Sequence, residues 1–143
     1  MYRLLYVSQS SLDPCGPGPR DIVDVAARRN AALCVTGALC FSGDHFAQVL
    51  EGTPEALGEL MASIRRDVRH RILREWPGEA AVDQRLFPGW AMAYVYDERL
   101  ERLVGDQVNG AAPMLQVDQL ASQLFCKLDL YGGLTGVAQR GRT

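Results

Sequence analysis

The sequence has little of what most ligand and nucleic-acid sites are built from. Four cysteines occur, Cys15, Cys34, Cys40 and Cys126, and no two form a CxxC pair. With only two histidines, His45 and His70, a Cys/His metal site has almost nothing to work with. The cysteines therefore read as reduced structural or incidental thiols, Cys34 and Cys40 lying in or beside an apolar run. Fifteen basic residues face seventeen acidic ones, a formal charge of −2, which disfavours nucleic acid as a partner. No apolar stretch approaches the ~20 residues that span a bilayer. The N-terminus has neither the apolar core nor the cleavage site of a signal peptide, so the expected location is the cytoplasm.

The 143 residues suffice for one domain with a real core and a small C-terminal addition. Tyr2–Ser8 alternates as a first strand, with Leu4, Tyr6 and Ser8 on one face and Leu5 and Val7 on the other. Gln9 to Pro19 carries Gly16, Gly18 and three prolines and reads as a loop. A helix follows over about 20–30, with Ile22, Ala26 and Arg29 along one side. Val35–Phe41 is a short apolar strand, turned by Ser42-Gly43-Asp44 into a partner strand through Gln48. Thr53-Pro54 starts a second helix, whose Leu57, Leu60, Met61 and Ile64 recur at helical spacing. Ile72–Val82 supplies a fourth strand despite Pro77-Gly78, and Trp90–Val95 a fifth with Trp90, Met92 and Tyr94 on a common face. The order β-α-β-β-α-β-β predicts an α+β, ferredoxin-like sandwich with two helices on one sheet face. Residues 1–96 form this domain. Residues 97–133 are a helical extension packed on the sheet, with a short helix over 97–104 and a longer one over 113–131. Val117, Leu120, Ala121, Leu124 and Leu128 form the longer helix's apolar stripe, Gly132-Gly133 stops it, and 134–143 is a disordered tail.

One residue breaks the apolar pattern. Strand alternation sets Gln48 between Phe46 and Leu50, and an amide buried there without partners costs about 1–3 kcal/mol. Tyr6 lies mid-strand, Asn30 at the end of the first helix, and Trp90 and Met92 on the last strand. Each has a plain reading: core for Tyr6 and Trp90, filler for Met92, a helix end for Asn30. Together, a phenol and two amides converging between helices and sheet would suit a flat heteroaromatic ring edged by donors and acceptors. Ile22 and Ile64 would cover its faces. A flavin ring meets that description, though spacing alone does not identify it.

Five segments carry a specific resemblance. They are Arg3–Ser8, Asn30 with Val35-Thr36-Gly37, Phe46–Gly52, Asp67-Val68-Arg69-His70, and Phe87-Pro88-Gly89-Trp90-Ala91-Met92. In this order, over residues 1 to about 96, the chain resembles a BLUF domain, the blue-light sensor that uses flavin. The remainder resembles the C-terminal helices of short, stand-alone members. The resemblance implies noncovalent FAD, with FMN or riboflavin able to fill the same ring pocket. It implies Tyr6 as electron and proton donor to the photoexcited ring, and Gln48 as the amide between that phenol and the ring's polar edge. Asn30 would hold the polar edge, and Ile22 and Ile64 the faces. Trp90 and Met92 would exchange places near Gln48 with the light state. Asp67, Arg69 and His70 match a charged segment near the flavin, for which a solvated helix end is the alternative. Ala26 departs from the serine of many relatives, Arg29 falls at a variable position, and Gly16-Pro17-Gly18 is no phosphate loop.

The expected protein is thus a non-enzymatic photoreceptor. No effector domain follows residue 96, so its output would pass to a downstream signalling protein or through a homo-oligomer. Two other readings stay open from the residues. A flavin-dependent oxidoreductase would bleach with a reductant yet show no shift in light. A cofactor-free interaction module, with Tyr6 and Gln48 bonded only to each other, would purify colourless and take up no flavin.

Overall fold

A computed structural model describes residues 1–12, 18–77, 81–110 and 116–130, the side chains of 126–130 excepted. Expectations for Cys15, Gly16-Pro17, Gly78, Pro113, Gly132-Gly133 and the 134–143 tail, and for the side chains of Cys126 and Leu128, lie outside what is described. The chain order is β1 (Tyr2–Ser10), α1 (Pro19–Ala32), β2 (Thr36–Phe41), β3 (His45–Gly52), α2 (Pro54–Arg66), β4 (His70–Trp76) and β5 (Ala93–Tyr96). Then come α3 (Leu100–Leu103), a π-helical turn (Val104–Val108) and α4 (Val117–Leu130). One five-stranded sheet has the order β4-β1-β3-β2-β5, antiparallel except where β5 runs parallel to β2. The fold is α+β and ferredoxin-like, as expected.

Alternation along the central strands divides the core between two faces. On one, Tyr6, Leu39, Phe46 and Leu50 pack under α1 and α2 with Val23, Leu60 and Ile64. On the other, Leu5, Val7, Ala38 and Val49 pack against Leu100, Leu103, Leu120 and Leu124 of the C-terminal helices. The stripe on α4 thus covers the second face of the sheet. Helix α2 shows how packing outweighs propensity. Thr53 Oγ1 accepts from the Ala56 N–H at 3.1 Å and Pro54 opens the helix. Gly58 within the helix costs about 1 kcal/mol, whereas burying each of Leu57, Leu60 and Ile64 contributes about 1.5–3 kcal/mol.

Two strand expectations need correction. β4 ends at Trp76 rather than near Val82, because Pro77 has no N–H to continue a ladder. β5 begins only at Ala93, after an isolated bridge at Met92, so alternation does not extend back to Trp90. The Trp90 N–H instead closes a turn onto the Phe87 carbonyl at 3.1 Å, with Gly89 at φ +81°. Trp90 consequently packs with the core beneath the C-terminal helices, whereas Met92 and Tyr94 belong to the α1/α2 side. The expected common face of the three residues does not exist. Beside this turn, Gly37 is required by close approach: a Cβ there would lie 2.2 Å from the Val49 carbonyl oxygen.

The helical extension also differs in detail. The first helix starts at Leu100 and continues into the π turn, and the second spans Val117–Leu130. Among the described residues, no helix is long and apolar enough to cross a membrane.

Candidate functional site

The site begins with strand register. In the β1/β3 ladder Tyr6 stands directly opposite Gln48, which in turn faces Leu39 across β2. Tyr6 and Gln48 share the α1/α2 face, and both are buried. The Tyr6 hydroxyl donates a hydrogen bond to Gln48 Oε1. Gln48 Nε2 points the other way, 3.6 Å from the Met92 thioether, a weak acceptor. A directed series therefore runs from phenol to amide to sulfur. It leaves the amide with donor capacity to spare.

Burial, followed by the nearby Asp67 carboxylate, raises the Tyr6 phenol above its ordinary value, with Arg29 opposing. The phenol is thus a held proton throughout the neutral range. Because the folded state disfavours tyrosinate, this group's share of stability is intact below the unfolded value near 10 and is lost as pH rises beyond it. An alkaline absorbance titration should find Tyr6 ionising only together with unfolding. Ionisation of Tyr6 near pH 10 in the folded protein would contradict its enclosure.

A narrow cleft enclosing about 40 Å³, partly open to solvent, lies over this pair. Helix α1 lines it with Ile22, Val25, Ala26 and Arg29, and α2 with Ile64. Leu39 and Phe46 floor it beside Tyr6 and Gln48, and Asp67, Arg69 and His70 close one end. That end is ordered by hydrogen bonds. Arg69 Nε donates to Asp67 Oδ1 at 2.9 Å, and this partner holds the Asp67 carboxyl below the usual carboxylate range. His70 Nε2 lies 2.9 Å from the Ile64 carbonyl, which can only accept, so Nε2 carries the proton. In the neutral ring Nδ1 then accepts from the Ser8 hydroxyl at 2.7 Å.

Seven of the residues singled out in the sequence meet at this cleft: Tyr6, Ile22, Gln48, Ile64, Asp67, Arg69 and His70. Met92, fully buried, reaches Gln48 from the side. Asn30 does not border the cleft; its Nδ2 donates to the Ala91 carbonyl at 2.9 Å and so ties α1 to the segment carrying Met92. Trp90 lies on the opposite side of the sheet. Sequence reasoning missed Val25, Leu39, Phe46 and above all Arg29. Its Nη1 donates to Ser63 Oγ at 2.9 Å, but its buried Nε has no partner among the described residues. The helical spacing of Ile22, Ala26 and Arg29 was the available signal.

These residues fit a flavin ring. A flat ring with apolar faces matches Ile22 and Ile64, and its polar edge matches the spare donors on Gln48 and the unpartnered Arg29 Nε.

Comparison with known proteins gives the same direction. Residues 1–93 match the family model described as BLUF, sensors of blue-light using FAD. Photoactivated adenylate cyclase subunit beta of Euglena longa is 33% identical over 98 residues, 68% of this chain and 11% of that protein. The blue light- and temperature-regulated antirepressor BluF of Escherichia coli is 38% identical over 80 residues, 56% of this chain and 19% of that protein. The chain thus spans a fifth or less of either relative. Among solved structures, ground-state BlsA superposes with a TM-score of 0.62 at 25% identity, covering 99% of this chain and 92% of that one. Klebsiella pneumoniae BlrP1 gives a TM-score of 0.60 at 30% identity, over 92% of this chain and 33% of its own. A fold with helices on both sheet faces, a phenol–amide–thioether series beneath a cleft between helices and sheet, and a family match over 1–93 lead to one conclusion: the chain belongs to the BLUF family of blue-light flavin sensors.

Proposed function

We propose that this chain binds FAD noncovalently between α1 and α2 and acts as a non-enzymatic blue-light receptor. The observation that carries the reading is the directed contact Tyr6 to Gln48 to Met92 under the cleft. The family's own description names FAD, and one related BlrP1 structure contains FMN. Ile22 and Ile64 hold the ring's faces, Gln48 and Arg29 its polar edge, and Arg69 offers charge to the phosphate-bearing side, while Asn30 acts from outside the cleft on the Ala91 carbonyl. Asp67 and His70 keep Arg69 and the end of α2 in place.

The bound flavin supplies blue-light absorption and, once excited, an acceptor for an electron. Tyr6 would give up an electron and, through Gln48, its proton, and both would return to it on recombination, so that no net oxidation remains. The Gln48 amide accepts from Tyr6 on oxygen and offers its nitrogen toward Met92. Rotation or tautomerisation would reverse what the amide presents to each side, and with it the hydrogen bond that Gln48 would offer a bound ring, which would shift the flavin absorption to the red. The altered amide loosens or tightens its hold on Met92, which adjoins β5. From there the change reaches the C-terminal helices, a two-state element of the kind signalling needs.

In this reading residues 1–96 are the sensor and 97–133 the output extension, acting in the cytoplasm on a signalling protein or a second copy of the chain. Met92→Ala removes the contact on the amide. A typical hydrogen bond has a net worth of about 1 kcal/mol, which corresponds to about a fivefold change in a rate. The thioether is a weaker acceptor, so dark recovery should change by up to about fivefold in Met92→Ala and less in Trp90→Ala, which sits across the sheet. Equal effects would contradict the assignment of Met92 as the residue on Gln48.

Cofactor identity is tested by heating the purified protein and treating the released flavin with phosphodiesterase. A rise in fluorescence identifies FAD, and unchanged fluorescence identifies FMN or riboflavin. Protein that carries no flavin, even after incubation with all three, would overturn the reading.

A further inference from the structure

Glu51 is fully buried, and its partners show what it does there. A carboxylate removed from water is expensive unless paired and hydrogen-bonded. Arg3 Nε donates to it at 2.9 Å and Thr36 Oγ1 at 3.1 Å. The other two donors are main-chain groups, the N–H of Leu86 at 2.6 Å and of Phe87 at 3.0 Å. Arg3 is itself forked, with Nη2 on the Gln84 carbonyl at 2.7 Å and Nη1 on Asp118 of α4 at 2.6 Å. A single ion pair therefore grips the chain at Gln84, Leu86 and Phe87.

The segment from Phe87 to Met92 is short and tightly held. The Phe87 carbonyl receives the Trp90 N–H, the Trp90 carbonyl receives the Gly37 N–H at 3.1 Å, and the Ala91 carbonyl receives Asn30. The next residue is Met92, against the Gln48 amide. Alternation puts Glu51 on the face of β3 opposite Gln48, so the two ends of this path approach one strand from its two sides.

We propose that Glu51 is a positioning residue for the Gln48–Met92 contact, holding residues 84–92 in place from the other side of the sheet, with Arg3 tying the same anchor to Asp118 on α4. Its importance for signalling rests on the light-sensing reading above, but the anchor itself operates in the dark. A displaced Leu86–Phe87 main chain is passed through the 87–90 turn to Met92, and the same displacement relaxes the tie to α4.

The test is methionine-methyl NMR on the full chain as purified, in the dark, with the Met92 signal assigned by Met92→Leu. Glu51→Gln conserves volume but turns an acceptor into a donor facing other donors. Its Met92 signal should move or split, while that of Met61 on α2 stays in place. A folded Glu51→Gln protein with Met92 at its wild-type position, whatever its melting temperature, would reduce Glu51 to a plain stabiliser and overturn the proposal. Where Glu51→Gln does not fold, Arg3→Lys carries the same expectation and the same refutation, since it keeps the charge and loses the fork. Asp118→Asn changes a side chain that is 65% exposed. It should move the Met92 signal in the same direction and less far, and no movement would detach α4 from the anchor. A protein that fails to respond to light would refute the sensor reading and leave this dark comparison intact.

Discussion

Tyr6→Phe should bind flavin normally and lose the light-induced red shift altogether. The phenol is the donor to Gln48 Oε1, and no other hydrogen bond to that oxygen occurs among the described residues. Phenylalanine fills the same space in the core but has no proton to give and is far harder to oxidise. The change strands a buried amide oxygen, a cost of about 1–3 kcal/mol, against the 5–15 kcal/mol that typically holds a domain together. The variant therefore remains folded with its cleft intact, and the comparison is of chemistry rather than of folding. A red shift of wild-type size in Tyr6→Phe would remove Tyr6 from the mechanism.

Gln48→Leu should abolish the same response from the other end, and it makes a second, thermodynamic prediction. Leucine orphans the buried Tyr6 hydroxyl, again at about 1–3 kcal/mol. Each single variant leaves one partner unsatisfied, but the double variant Tyr6→Phe/Gln48→Leu leaves neither. Replacing both partners with apolar groups is close to neutral, so the double variant should be less destabilised than the sum of the singles. Urea denaturation of the four proteins in a double-mutant cycle measures this. Additive losses would contradict a direct bond between the two side chains.

Much of this arrangement is readable in the residues because it rests on local periodicity. Alternation in 2–8 and 45–52 sets Tyr6 and Gln48 on inward faces, and the spacing of Leu57, Leu60, Met61 and Ile64 marks the buried side of α2. Alternation cannot supply register. Tyr6 and Gln48 meet because β1 and β3 pair antiparallel across 42 positions of chain, a tertiary fact. The misplacement of Trp90 has a related cause: a period of two does not reach back from Ala93 to Trp90, whose N–H closes a turn onto the Phe87 carbonyl instead of continuing a strand. Arg3 and Glu51 both fall within segments that resemble the family, yet their pairing is invisible in the residues. A charged residue in a strand ordinarily faces water, and nothing local reveals that two of them meet in the core. Arg29 is hidden for the opposite reason. An arginine on a helix flank looks like a solvated residue; its spacing with Ile22 and Ala26 is the one local hint, and the enclosed Nε shows its place in the cleft.

The central claim is that light rearranges the hydrogen bond between Gln48 and a flavin. It is tested most directly by the absorption spectrum of the purified protein in the dark and immediately after blue illumination. The flavin bands should move slightly to longer wavelength and return in darkness. Flavin bands that stay where they were under illumination would contradict the claim.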